Sequence, residues 1–317
     1  MENRTNYRIA YHGTGMDLFR IEIVNLILCM VTLGFYYPWA KAKTLQYLYS
    51  QTLFEEQPFV FSGTGQEMFK GFVKAFALIA ILWAGVFISL WYGGEIIQLT
   101  LLLFYLIIIA MIPLIIHGSY KYRMAKSSWR GIRFGYTGER SELIKIFYRD
   151  LFLTIITFGI YGSWLAMNIR RYVLDHVRIG NATFTYHGNG GDFFLLNLKG
   201  YFLTLFTLGI YMFWWQKDLF EYFVNNLRLR QGDHKVAFRS KATGGGFAGL
   251  LIVNLLIVIF TLGFGYAWAV TRTLNYVANN IDIYGDLSFD ELVQSQSDYS
   301  DATADDMADF FDFGFII

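Results

Sequence analysis

Five histidines stand at His12, His117, His176, His187 and His234, and none falls into a His-Glu-x-x-His or related spacing that would hold a metal. His12 and His187 share a Tyr-His-Gly setting. That offers either a paired pH-responsive site or two polar turn residues kept after duplication, and the turn reading is preferred. Gly13-Thr14-Gly15 and Gly63-Thr64-Gly65 could turn backbone amides toward a phosphate. Neither has the Lys-Ser/Thr of a nucleotide loop or the third glycine of a dinucleotide fingerprint, so both read as strand-to-helix connections. No nucleophile has a base beside it. The residues predict no catalytic, metal or cofactor site and a non-catalytic protein.

The stronger polar signal lies inside apolar sequence. One phrase recurs as Thr32-Leu33-Gly34-Phe35-Tyr36 with Trp39, Thr157-Phe158-Gly159-Ile160-Tyr161 with Trp164, Thr207-Leu208-Gly209-Ile210-Tyr211 with Trp214, and Thr261-Leu262-Gly263-Phe264-Gly265 with Trp268. Seven residues before the threonine stand Asn25, Asp150 and Asn254; in the remaining copy Gly200 takes that place, with Asn197 one turn earlier. Asn and Asp are costly in lipid and should face protein or water. They could line a polar path or solute site at a bundle axis, or bond between helices, and the structural role is preferred. In the phrase itself the glycines permit close approach or bending. The Tyr and Trp residues anchor the membrane interface, and Lys41, Arg170, Lys217 and Arg272 can snorkel.

Six apolar runs approach the roughly 20 residues of a bilayer crossing, near 21–40, 72–92, 99–117, 151–169, 194–215 and 247–270. The second and third flank a short loop without a basic residue, Gly93 to Gln98, and read as a helical hairpin. Short alternating segments with glycines precede the others, as in Tyr7 to Gly15 or Phe184 to Gly190, and predict strands. Amphipathic stretches such as Ile169 to Arg178 follow each Trp and are expected on the surface or against the strands. The spacing gives five units near 7–58, 59–131, 132–183, 184–235 and 236–285 within a membrane domain 1–285. If each unit crosses once, consecutive units are inverted. The shared Trp-then-base ending argues instead that all face the cytoplasm and that the runs enter the membrane and turn back, which is preferred.

Composition agrees with a membrane chain: of 317 residues 55% are hydrophobic and 16% charged, against about 25% charged in average soluble domains. From Asp286 onward there are nine acids and no base, so residues 1–285 carry a formal +10. Residues 286–317 therefore read as an acidic, mobile tail, which could dock a protein partner or a basic surface near Lys121–Arg133 through Phe310, Phe311, Phe313 and Phe315. The lone Cys29 allows no disulfide within the chain. The first seventeen residues are polar and the first span is expected to act as its own insertion signal. Basic residues interleaved with aromatics beside a span suit anionic lipid, not nucleic acid.

The repeated Phe-x-Phe/Tyr-x-Gly-x-Gly followed by Thr-Leu-Gly-Ile/Phe-Tyr and Trp resembles the YjgN-like family of bacterial inner-membrane proteins, over nearly all of the chain except the acidic tail. The resemblance implies a multi-pass inner-membrane protein without an established biochemical function and brings no catalytic residues. The expected fold is a mainly α, multi-pass helical bundle of about five duplicated units with small β elements. The expected function is a pathway or binding cavity for a small or lipid-like solute. The alternative is a membrane scaffold that docks a partner through its strand-rich face.

Overall fold

The chain passes five times through a strand, two antiparallel helices and a returning strand. In the computed structural model, which describes residues 5–289 and 291–294, β1 (Thr5–Tyr7) and β2 (Ile9–Tyr11) lead into α1 (Gly15–Val31), α2 (Tyr37–Ser50) and β3 (Thr52–Phe54). Next come β4 (Gln57–Phe61), α3 (Gly65–Tyr92), α4 (Gly94–Lys126) and β5 (Ser127–Trp129), then β6 (Ile132–Tyr136), α5 (Arg140–Ile156), α6 (Gly162–Asp175) and β7 (Val177–Ile179). The last two passes are β8 (Ala182–Tyr186), α7 (Gly190–Phe206), α8 (Met212–Asn225) and β9 (Leu227–Gln231), and β10 (His234–Ser240), α9 (Gly244–Phe260), α10 (Tyr266–Asn279) and β11 (Ile281–Gly285).

The Thr-Leu/Phe-Gly phrase is where four of these helix pairs turn. The Gly34 amide donates to Cys29 O at 2.7 Å and the Leu33 amide to Met30 O at 3.2 Å, the paired bonds of a helix end closed by a left-handed residue. Thr32 Oγ1 then donates to Leu28 O at 2.7 Å and accepts the Tyr36 amide at 3.0 Å, tying the end of one helix to the start of the next. Thr157, Thr207 and Thr261 repeat both bonds.

This turn overturns the expectation of a multi-pass helical bundle. Runs 21–40, 151–169, 194–215 and 247–270 each join the end of one helix to the start of an antiparallel one, and composition cannot tell one long pass from two short legs. Of the described helices, α3 with 28 residues and α4 with 33 are long and apolar enough to cross a bilayer. The first helices of the other pairs have 17 residues, about 25 Å of rise. The amphipathic stretches are the returning helices themselves.

Nor are the β elements small. Eleven described strands form one antiparallel sheet in the order β1-β11-β10-β9-β8-β7-β6-β5-β4-β3-β2. Its two ends, β1 and β2, are halves of one segment, so Thr5–Tyr7 pair with β11 and Ile9–Tyr11 with β3. The sheet thereby closes into a barrel, staggered at Arg8, and all five helix pairs leave it at the same end. Alternate strand residues point inward and fill it: Tyr7, Trp129, Ile179, Leu229, Val236 and Ile283, with Phe54, Phe134 and Phe184 packed against them. Basic residues stand among the outward positions, Arg133 on β6, Arg178 on β7, Arg228 and Arg230 on β9 and Lys235 on β10, with Arg230 directly opposite Lys235.

The start of the expected tail covers the turn end of this barrel. Leu287, Phe289 and Leu292 join its core, and the Leu287 amide donates to Tyr7 Oη at 2.7 Å. Phe289 meets Tyr7 edge-on and Trp129 at a tilt. The Arg133 amide donates to Gln294 Oε1 at 2.8 Å. Residues 295–317, with the proposed docking phenylalanines, lie outside the described residues.

Neighbouring passes are joined by tryptophan. A Cβ placed on Gly65 would come 2.4 Å from Trp39, on Gly190 2.3 Å from Trp164, on Gly244 2.5 Å from Trp214 and on Gly15 2.4 Å from Trp268. Each motif Trp thus sits on the first helical glycine of the next pass, and Trp268 closes the circle back to the first. Gly190→Ala should therefore destabilise the chain by about 1–3 kcal/mol through overpacking. Thermal unfolding in detergent micelles is the check, and an unchanged midpoint would mean the seam is loose.

Candidate functional site

The polar residues embedded in the helices do not converge. Each bonds within its own helix pair. Asn25 is 3% exposed and donates to Ala40 O at 3.3 Å and to Thr44 Oγ1 at 3.4 Å. Asn254 repeats this with Ala269 O at 3.2 Å and Thr273 Oγ1 at 2.9 Å. Asp150 is fully buried; its carboxylate accepts from Asn168 Nδ2 and from Arg149 Nε, both at 2.7 Å. In the fourth pair Gly200 leaves room for Trp215, while Asn197 donates along its own helix to Phe193 O at 2.7 Å. Asn25, Asp150 and Asn254 thus lock helix to helix inside their pairs, where an unbonded amide or carboxylate would be expensive. They form no shared path.

His12 and His187 lie at exposed strand ends of separate passes, and their backbone amides donate to Gln51 O and Asn226 O, both at 2.9 Å. They are turn residues that do not meet. The residues after the Gly-x-Gly turns are helix caps: Thr14 accepts the Asp17 amide, and Thr64 and Glu67 form a reciprocal pair.

A tyrosine clamp on these caps went unnoticed in the sequence. Tyr47 Oη accepts the Thr14 amide at 3.0 Å and donates to Thr14 O at 3.1 Å. Tyr172 holds Glu139 at 2.7 and 2.9 Å, and Tyr222 holds Asn189 at 2.8 Å both ways. Burial raises the Tyr172 and Tyr222 hydroxyl pKa, so the proton needed for donation stays on. The available signal was a tyrosine 33 residues after the cap in those three passes.

One arrangement with binding capacity is a cleft of 780 Å³ between α9, α10 and the start of α1. Leu250 and Val253 make an apolar wall, Gly246 and Gly249 an open one, and Arg272, Asn275 and Asn279 an exposed polar rim. Asn254 Oδ1 accepts from Arg272 Nε at 3.2 Å, so the hairpin lock also orients the guanidinium. Asn275 donates to Tyr11 O at 3.1 Å and fixes the rim to the barrel. Its volume and mixed lining suit part of an amphipathic molecule.

Comparison with known proteins agrees with the membrane character. Residues 6–185 and 215–310 match the profile described as a bacterial protein of unknown function (DUF898), and the chain belongs to that family. It is similar to the inner membrane protein YjgN of Salmonella typhimurium, 28% identical over 131 residues, covering 41% of this chain and 31% of that protein. YjgN of Escherichia coli O157:H7 is 31% identical over 132 residues, with the same shares. YjgN of Escherichia coli K12 is 39% identical over 64 residues, 20% of this chain and 16% of the relative. The chain thus spans about a third or less of the curated relatives it matches. No solved structure matches.

Asn168→Ala removes one of the two partners of a buried carboxylate and should cost about 1–3 kcal/mol. Asn197→Ala, losing a bond within one helix, should cost less than about 1 kcal/mol. Unfolding of both variants in the same detergent decides, and equal losses would contradict the lock.

Proposed function

We propose that this DUF898 chain is a non-catalytic inner-membrane protein that holds a lipid-like solute at the bilayer interface. Two crossings by α3 and α4, together with four helix pairs that enter and return on one side, embed it. The supporting observation is the conformation of the turns. Leu33, Phe158, Leu208 and Leu262 have φ near +50° and are 90%, 98%, 94% and 89% exposed. Glycine is the usual residue there, and a left-handed side-chain residue costs about 1–2 kcal/mol. Transferring a Leu or Phe side chain from water to an apolar medium returns about 1.5–3 kcal/mol. Large apolar residues at strained, naked turns make sense when the turns lie in lipid.

The names of the relatives support the inner membrane, and the exposed apolar residues Val24, Ile27 and Val31 of α1, like Leu255, Leu256 and Ile259 of α9, support contact with acyl chains. At about 25 Å the short helices fall below the roughly 30 Å hydrocarbon core, so they enter without crossing. A cleft that opens among such helices is supplied from the membrane, which favours a lipid-like solute over a water-soluble one. The absence of a shared polar path favours holding over conduction.

A second reading, docking of a partner protein on the strand-rich face, is favoured by the outward Arg228, Arg230 and Lys235. Its form is docking on a basic face, because the described strands leave no free edge to extend.

The test of the embedding is thiol labelling in membranes, after Cys29→Ser, with single cysteines at Leu33, Phe158, Leu208, Leu262 and Gly232. A membrane-impermeant reagent should modify position 232 from one side and leave the four turn positions unmodified from either side. Modification of the turns from the side opposite position 232 would mean that these pairs cross, and the proposal would fail.

A further inference from the structure

The cleft beside α10 is a peculiarity of the last pass. Aligned on the helix caps, the third residue of the first helix is Asp17, Glu67, Glu142 or Asp192 in the other passes and Gly246 here. The sixth is Arg20, Lys70, Lys145 or Leu195 elsewhere and Gly249 here. A helix-interior glycine costs about 1 kcal/mol relative to alanine. At Gly15 or Gly190 a tryptophan forces that choice, but a Cβ on Gly249 would meet nothing within 4 Å. Packing does not require this glycine. What it does is keep the cleft open, while Gly246 removes the carboxylate that the four other passes carry.

The cleft therefore has a cation and no anion. None of its lining residues is acidic, and among the described residues no carboxylate pairs with Arg272. The two acids on the adjoining α1 have other partners: Asp17 accepts from Thr14 at 2.7 Å and pairs with Arg20 at 3.5 Å, and Glu22 accepts from Thr44 at 2.6 Å. Asn254 steers the guanidinium, and Asn279 adds an exposed amide at the rim. From this polar rim the wall of Leu250 and Val253 leads along α9 toward its apolar end.

We propose that this cleft binds the phosphate headgroup of an anionic phospholipid, with Arg272 on the phosphate and an acyl chain along Leu250 and Val253. The proposal rests on the lipid-embedded placement argued above and names the solute class for it. Guanidinium and phosphate pair through charge-assisted, forked hydrogen bonds. The missing acid removes the repulsion that the other passes would exert on such a group.

The test uses the full-length chain purified in detergent, with binding of phosphatidylglycerol and phosphatidylcholine of equal chain length followed by native mass spectrometry. The expected result is at least about tenfold tighter binding of phosphatidylglycerol, lost in Arg272→Gln. Gly249→Leu should fill the cleft and lower binding of both lipids without lowering the thermal midpoint. Large excess of inorganic phosphate should displace little lipid, because it lacks the chain. Equal binding of the two lipids, unchanged binding by both variants, or full displacement by phosphate would each overturn the site. Turn positions that are labelled from the far side would instead overturn the placement beneath it, so the two failures are distinguishable.

Discussion

Backbone hydrogen bonds join the segment 5–11 to β11 along its first half and to β3 along its second. This one segment leaves the described strands without an unpaired edge, which in an open sheet would attract another strand. With antiparallel neighbours throughout, consecutive passes must leave and re-enter the barrel at the same end. The same-facing helix pairs, the turns within them and the aromatic filling of the barrel all follow from that closure. Inverted repeats cannot be built on it.

Much of the local structure was legible. The Gly-x-Gly segments marked strand-to-helix turns, and the apolar runs marked helices. Chain reversal at Thr32, Thr157, Thr207 and Thr261 was harder to read, because a leucine or phenylalanine stands where a helix end ordinarily shows glycine. Hydropathy then ran unbroken across the reversal. The extent of the sheet was hidden for another reason: the strands are three to seven residues long, and their pairing is fixed by partners far away in sequence.

The embedded polar residues show the limit of reading sites from type and spacing. Asn25, Asp150 and Asn254 stand at equal spacing before the motif, and each bonds within its own helix pair. The cleft lies where the repeat departs from its own pattern, at Gly246 and Gly249. A departure of a different kind occurs between the second and third passes. There Leu114 stands eight residues before Tyr122, the place a motif Trp holds before its tyrosine, and Arg140 replaces the seam glycine. Ring and socket are missing together, beside the long helix pair, so this junction relies on the packing of α4 against α5 and β6.

The bond between Tyr7 and Leu287 spans 280 residues, and this has a consequence for biogenesis. As the ribosome delivers the chain in order, each helix pair can form as it emerges, while the first strand waits for β11. Only when β11 and the residues after it arrive can the circle shut. Closure is thus a long-range step that cannot precede the emergence of β11, since contacts so distant in sequence form late. Until then the nascent protein is an open arc whose two free edges are sticky toward each other and toward neighbouring copies. A chain truncated before Ile281 would stay in that condition, its helix pairs formed and its circle permanently open.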